Sequence, residues 1–109
     1  MTVNRYRGGI ISIESSGHSG YAQHGKDIVC AAVSALMQAL LVGVQEISGK
    51  RSESNLIEKD SYFKLEWNIE IIPEIKQLSE TIALSLKRIG EAYPDNLKFL
   101  EVQVLDEKI

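Results

Sequence analysis

The chain contains one cysteine, Cys30, and two histidines, His18 and His24, and any thiol or imidazole chemistry must be built from these three. A thiol attacks a carbonyl as the thiolate, so a catalytic cysteine needs surroundings that favour the anion. The spacing suggests such a place. Asp27 stands directly before the apolar run that opens at Ile28, as an N-cap whose carboxylate accepts bonds from the first free backbone amides. Cys30 then falls in the first helical turn, where those amides and the positive end of the helix dipole stabilise an anion and can hold an oxyanion. His18 lies twelve residues earlier, at the exit of an expected strand, with the segment Ser19 to Lys26 to return its imidazole to the helix start. A pair so arranged passes the thiol proton to His18 and returns a proton to the leaving amine, which is protease or amidase chemistry.

Other readings of these residues stay open on chemistry alone. A lone thiol in an apolar helix also serves as a small core hydrophobe, and a redox-sensing thiol would lack a resolving cysteine. Asp27 is read first as a helix cap and second as a group that orients His18. Ser34 follows Cys30 by one turn, on the same helix face, where its hydroxyl either bonds back into the helix or lines the site. Nothing recommends His24 over His18 as the base. One cysteine and two histidines make a weak metal set, so no metal is expected, and the sequence has no glycine-rich phosphate loop.

Composition narrows the partners. Hydrophobic residues make up 44% of the 109 positions and charged residues 25%, which describes a folding chain that fits one domain over 1–109. The formal charge of −3 supplies no basic surface for a nucleic-acid backbone. The lone cysteine and an N-terminus without a signal-like apolar run lead to a cytoplasmic expectation. The most apolar stretch, Ile28 to Val44, is interrupted by Ser34, Gln38 and Gly43 and is shorter than the roughly 20 residues of a membrane span, so it is read as a core helix and no membrane is expected.

The elements that must position the site follow from periodicity. Val3 to Tyr6 and Ile10 to Glu14 flank Arg7-Gly8-Gly9, a hairpin with a glycine turn. Gly17 to Lys26, with Gly17, Gly20 and Gly25 among polar residues, is loop chemistry. From Asp27 or Ile28 the chain is apolar nearly all round, which predicts a helix buried on most of its faces and ended by Gly43 or Gly49. Gly49 to Asp60 reads as a loop holding one short strand, with nothing catalytic in it. Alternation of Phe63, Leu65, Trp67, Ile69 and Ile71 with polar residues predicts a strand. Pro73 opens an amphipathic helix that carries Ile75, Leu78, Ile82, Leu86, Ile89 and Tyr93 at helical spacing and stops at Pro94. A last strand covers Leu97 to Val104, with a slip in apolar phase between Phe99 and Leu100 that suggests a bulge or a strand covered on both faces. The order β-β-α-β-α-β predicts an α/β (α+β) fold of two layers, a small mixed or antiparallel sheet covered by two helices.

Two segments, Gly17-His18-Ser19-Gly20-Tyr21-Ala22 and Gly25-Lys26-Asp27-Ile28-Val29-Cys30-Ala31-Ala32-Val33-Ser34, resemble in order and spacing the signature of the ribosomal-processing cysteine protease family, Prp. The likeness extends through the Trp67 strand and the Pro73 to Tyr93 helix, and so over essentially the whole chain. It implies a cytoplasmic, cofactor-free homodimer that removes a short N-terminal extension from the precursor of large-subunit ribosomal protein twenty-seven. It also implies that His18 is the catalytic base and Cys30 the nucleophile, with Gly17, Asp27 and Ser34 supporting them. Ser19 stands where alanine is more usual. Because the cleaved extension ends in aromatic and apolar residues before a small one, the resemblance implies an apolar groove beside Cys30, with Ser19, Gly20, Tyr21 and Gly25 in a loop that closes over substrate. The rival reading is a non-catalytic ribosome-associated assembly or binding protein.

Overall fold

The computed structural model describes residues 1–16, 24–60 and 62–105, with side chains of the first helix described from Ile28 onward. Strands β1 (Thr2–Tyr6) and β2 (Gly9–Ser15) form the N-terminal hairpin. Its two connecting residues, Arg7 and Gly8, both have positive φ, 51° and 84°, which is the backbone that a tight turn needs to match the strand twist. Helix α1 (His24–Val42) follows, then β3 (Ser54–Lys59), β4 (Tyr62–Trp67), α2 (Lys76–Ala92) and β5 (Leu100–Gln103). The sheet order is β3-β4-β2-β1-β5. All pairs are antiparallel except β1 with β5, so the sheet is mixed and the expected two-layer α+β class holds. The short strand expected inside the Gly49 to Asp60 loop is β3, which makes five strands rather than the four of the predicted order.

Strand alternation divides the sheet into an apolar face and a polar one. Val3, Ile13, Leu65 and Leu56 stand opposite one another in register across β1, β2, β4 and β3. The first three are fully buried, each worth about 1.5–3 kcal/mol of burial. Both helices cover this face, through Val29, Val33, Met37, Leu40 and Val44 on one side and Ile82, Ala83 and Leu86 on the other. Trp67 joins the same core, and its indole N–H donates to the Ile10 carbonyl at 2.8 Å. On the other face Asn4, Ser12, Glu66 and Asn55 occupy the next register row. Asn4 donates there to Ser12 at 2.8 Å and to Glu14 at 2.9 Å, and the Tyr62 hydroxyl donates to Glu14 at 3.0 Å.

Several expected boundaries move, each for a local reason. Helix α1 starts at His24, not at Asp27 or Ile28. No proline bars the segment, and one glycine costs a helix only about 1 kcal/mol, so the packed apolar run carries the helix back past Gly25. Its far end passes through a π turn at Gly43–Ile47 and stops at Gly49, whose φ is 67°. The Lys50 amide reaches back to the Val44 carbonyl at 2.9 Å, as in a glycine-terminated helix. The helix is not buried on most of its faces: Ile28 is 61% exposed and Val42 44%, because only one side meets the sheet. Ile28–Ile47 is long and apolar enough to cross a bilayer by length and composition alone, yet its inner side packs on the sheet.

The alternation through Phe63 to Ile71 remains extended only as far as Trp67. Ile69–Ile71 is a turn of 3-10 helix that buries Ile71, since the Ile71 carbonyl accepts from the amides of Glu74 and Ile75 at 3.0 and 3.2 Å. Pro73 therefore sits in this turn, and α2 begins at Lys76. The last strand is Leu100–Gln103 alone, exposed along its length at the sheet edge. The phase slip marks neither a bulge nor double coverage. Leu97 and Phe99 pack on the core before the strand begins.

Candidate active site

The strands β2 and β3, the start of β4, the N-terminal half of α1 and the loop after α2 converge on a groove of about 500 Å³. Helix α1 supplies one wall. Positions 30, 34, 37 and 38 recur at helical spacing, so Cys30, Ser34, Met37 and Gln38 present one continuous strip to the cavity, while Val29 and Val33 form its deeper, buried part. Phe63 from β4 and Leu97 from the loop after α2 complete an apolar floor. Ser15 and Ser16 lie where β2 leaves the sheet, and Glu58, Asp60 and Asp95 stand at the mouth.

Cys30 is a free thiol, half-buried, with one side open to the groove. Its position in the helix differs from the expected one. With α1 beginning at His24, Cys30 lies in the second turn, where its own amide already has an intrahelical partner four residues back. The first-turn amides that favour anions belong to residues at the start of the helix instead. Asp27 is accordingly an internal helical residue and not the N-cap. Gly25 is also helical, not part of a substrate loop. The helix dipole therefore stabilises a thiolate at Cys30 less than it would in the first turn, since the effect falls off beyond that turn.

Of the other expected site residues, Ser34 lines the groove with Cys30. Gly17, His18, Ser19, Gly20 and Tyr21 lie outside the described residues. His24 is the first residue of α1. Among the described residues no group of three or more His, Cys, Asp or Glu is assembled to hold a metal ion.

The groove's walls escape the sequence reading, and so do the charges at its mouth. Glu58 and Asp60 come from the segment that offered nothing catalytic. They reach the cavity because β3 and β4 form a hairpin with Lys59 opposite Tyr62, and Asp60 holds the positive φ of 43° that its turn requires. An aspartate just before the alternating run is turn chemistry, and this is the signal that would place residues 58–60 beside the start of β4. Asp95 and Leu97 carry no comparable sign.

The family model described as Cysteine protease Prp matches residues 1–98. The ribosomal processing cysteine protease Prp of Bacillus subtilis (strain 168) is 35% identical over an alignment of 94 residues that covers 83% of this chain and 84% of the relative. In fold, the chain resembles SMU.848 from Streptococcus mutans with a TM-score of 0.78 at 24% identity, covering 94% of this chain and 92% of that one. It also resembles the essential ribosomal processing protease Prp from S. aureus in complex with a substrate peptide, at a TM-score of 0.75 and 22% identity, covering 92% and 97%. The groove beside a single free thiol and the match over nearly the full sequence lead to one assignment: the chain belongs to the Prp family of ribosomal-processing cysteine proteases.

Proposed function

We propose that this protein is the endopeptidase that removes the N-terminal extension from the precursor of large-subunit ribosomal protein twenty-seven. The observation that carries the reading is a solitary free thiol, Cys30, opening onto an apolar-floored groove of about 500 Å³ in a chain of this family. Cys30 Sγ attacks the scissile carbonyl, giving up its proton to His18, and the tetrahedral intermediate expels the amine, which takes that proton. The thioester left on Cys30 is then hydrolysed by water activated at His18, releasing the extension's new carboxylate and restoring the thiol.

A homodimer in the cytoplasm completes the reading. Helix α1 carries no charged side chain from Ile28 to Val42, and its outer side exposes Ile28, Ala31, Ala35 and Val42. An uncharged apolar face of this kind suits a second copy of itself, since a two-fold contact would bring like residues together without like charges. The single unpaired thiol agrees with a reducing compartment.

Incubation with a peptide spanning the precursor's cleavage junction tests the assignment. Wild-type protein should cut it at one bond, and Cys30→Ala and His18→Ala should each leave it intact. Equal cutting by all three proteins would remove the dyad. Binding of the peptide without cutting by any of them would favour a ribosome-associated binding protein.

A further inference from the structure

We propose that the groove selects a cationic side chain of its peptide in addition to an apolar one, holding the cation between carboxylates on two separate walls. This rests on the protease reading of the groove and names the class of peptide that the groove prefers.

The cavity has two unlike parts. The floor, with Val33, Met37, Phe63 and Leu97, is apolar, whereas the mouth carries Glu58 and Asp60 on the β3–β4 hairpin and Asp95 on the loop after α2. These carboxylates differ from most others in the molecule. Glu80 and Glu101 accept from Arg5, Glu74 from Lys50, and Glu66 from Asn55 and Lys64. Glu14, Glu46 and Glu53 also have partners. Among the described residues, only Glu58, Asp60, Glu70, Glu91 and Asp95 have neither an ion pair nor a side-chain hydrogen bond. Three of these five line the groove. The groove is thus lined by three carboxylates that have no side-chain partner among the described residues.

The cations nearby do not cancel these charges. Lys59 also lines the cavity between Glu58 and Asp60, and this one lysine faces three carboxylates in the lining. The other cation is the Met1 amino group, which burial shifts toward its neutral form, against a smaller opposing effect of Glu14. Asp60 follows Lys59, which pairs with Tyr62, and has a left-handed backbone conformation. A peptide whose apolar side chain fills the floor must lay its neighbouring residues past this mouth. A lysine or arginine there gains attraction from both walls, and a glutamate meets repulsion.

The test uses peptides with one common aromatic, apolar and small-residue core that differ only in flanking pairs, Lys-Lys, Gln-Gln or Glu-Glu, placed on either side. Cleavage by wild-type protein should follow Lys above Gln above Glu on at least one side. At low ionic strength the Lys-to-Gln ratio in kcat/KM should be about tenfold, falling toward one in roughly 0.5 M salt. The ratio should also approach one in the triple variant Glu58→Gln, Asp60→Asn, Asp95→Asn, whose folding is checked by thermal melting. Asparagine keeps the left-handed turn that residue 60 needs. The same peptides are titrated by fluorescence anisotropy against Cys30→Ala. Equal treatment of Lys and Gln peptides, or a preference that survives in the triple variant, would overturn the proposal. Ordered binding without any cleavage by wild type would keep charge selection and remove the protease reading, whereas cleavage without order would do the reverse. Neither binding nor cleavage would remove both.

Discussion

Helices α1 and α2 cover the same face of the same sheet and are nearly equal in length, at nineteen and seventeen residues, yet their sequences meet different demands. Helix α2 buries one stripe, Ser79, Ile82, Ala83 and Leu86, and gives water an outer side that includes Lys76, Lys87, Arg88 and Glu91. That is what covering a sheet requires. Helix α1 buries a comparable stripe but keeps its outer side apolar, and its first half borders the groove with Cys30, Ser34 and Met37. The excess apolar surface of α1 is not needed by the sheet. It accompanies what α1 does beyond folding, which is to line the groove with a free thiol.

The sharpest way to separate the two helices is one truncation in each. Cys30→Ala should lower peptide cleavage by about 10³-fold or more, as loss of a nucleophile does. Its effect on stability should stay within about 1 kcal/mol, because the thiol is only half-buried. Leu86→Ala in α2 should do the opposite. Leu86 is fully buried, so its removal should cost on the order of 2–5 kcal/mol in denaturant unfolding, with cleavage per folded molecule unchanged. A Cys30→Ala protein that lost several kcal/mol, or kept its activity, would make α1 a covering helix like α2.

The same contrast explains what the sequence made legible. The amphipathic stripe of α2 and the alternation into Leu65 and Trp67 are periodic signals written by one buried face, and both elements exist there, with ends that move by a few residues. The apolar run of α1 carried two messages in one pattern. Burial against the sheet and exposure for recognition use the same residue types, so the run read as a helix buried on most sides. Asp27 before Ile28 looks like a cap, whereas the helix begins at His24. Cys30 and Ser34 share a helix face and a groove wall, which local helical spacing makes readable. Phe63, Leu97 and Asp95 were not found, because they reach the groove through strand pairing and loop closure between residues far apart in the chain.

A second pair of substitutions sharpens the comparison on the outer faces. Ala35→Lys on α1 and Leu84→Lys on α2 each place a charge at an exposed position, Leu84 being 50% exposed. Each should change the stability of the folded chain by about 0.5 kcal/mol or less. In sedimentation, Ala35→Lys should shift the protein from dimer to monomer and Leu84→Lys should leave it dimeric. A dimer that survives Ala35→Lys and dissociates with Leu84→Lys would assign the contact to α2. A second backbone test concerns the sheet itself: Gly9→Ala should cost roughly 1–3 kcal/mol, since an added Cβ would strike the Ile72 Cγ2, a methyl that a β-branched side chain cannot readily turn away.

The smallest effect expected comes from the charged side of α2. Arg5 on β1 donates to both oxygens of Glu80, at 2.8 and 3.0 Å, and also to Glu101 on β5 at 3.3 Å, so one guanidinium ties the helix to the sheet and to its edge strand. The hydrogen bond with Arg5 holds the Glu80 carboxyl below its ordinary pKa of 4.5, against a smaller opposing effect of burial. A carboxyl depressed in the folded state binds fewer protons there than when unfolded. Its contribution is therefore fully present above the unfolded value and is lost as pH falls through the folded one. Glu80→Gln should cost about 1 kcal/mol at pH 7, a modest figure because the pair is partly exposed to water. Denaturant midpoints of the two proteins should then converge as the pH drops below about 4.5. A gap that stayed constant over that range would mean that Glu80 acts on α2 through packing and not through its charge. The outer side of α2 would then stabilise the fold in the same way as its inner one.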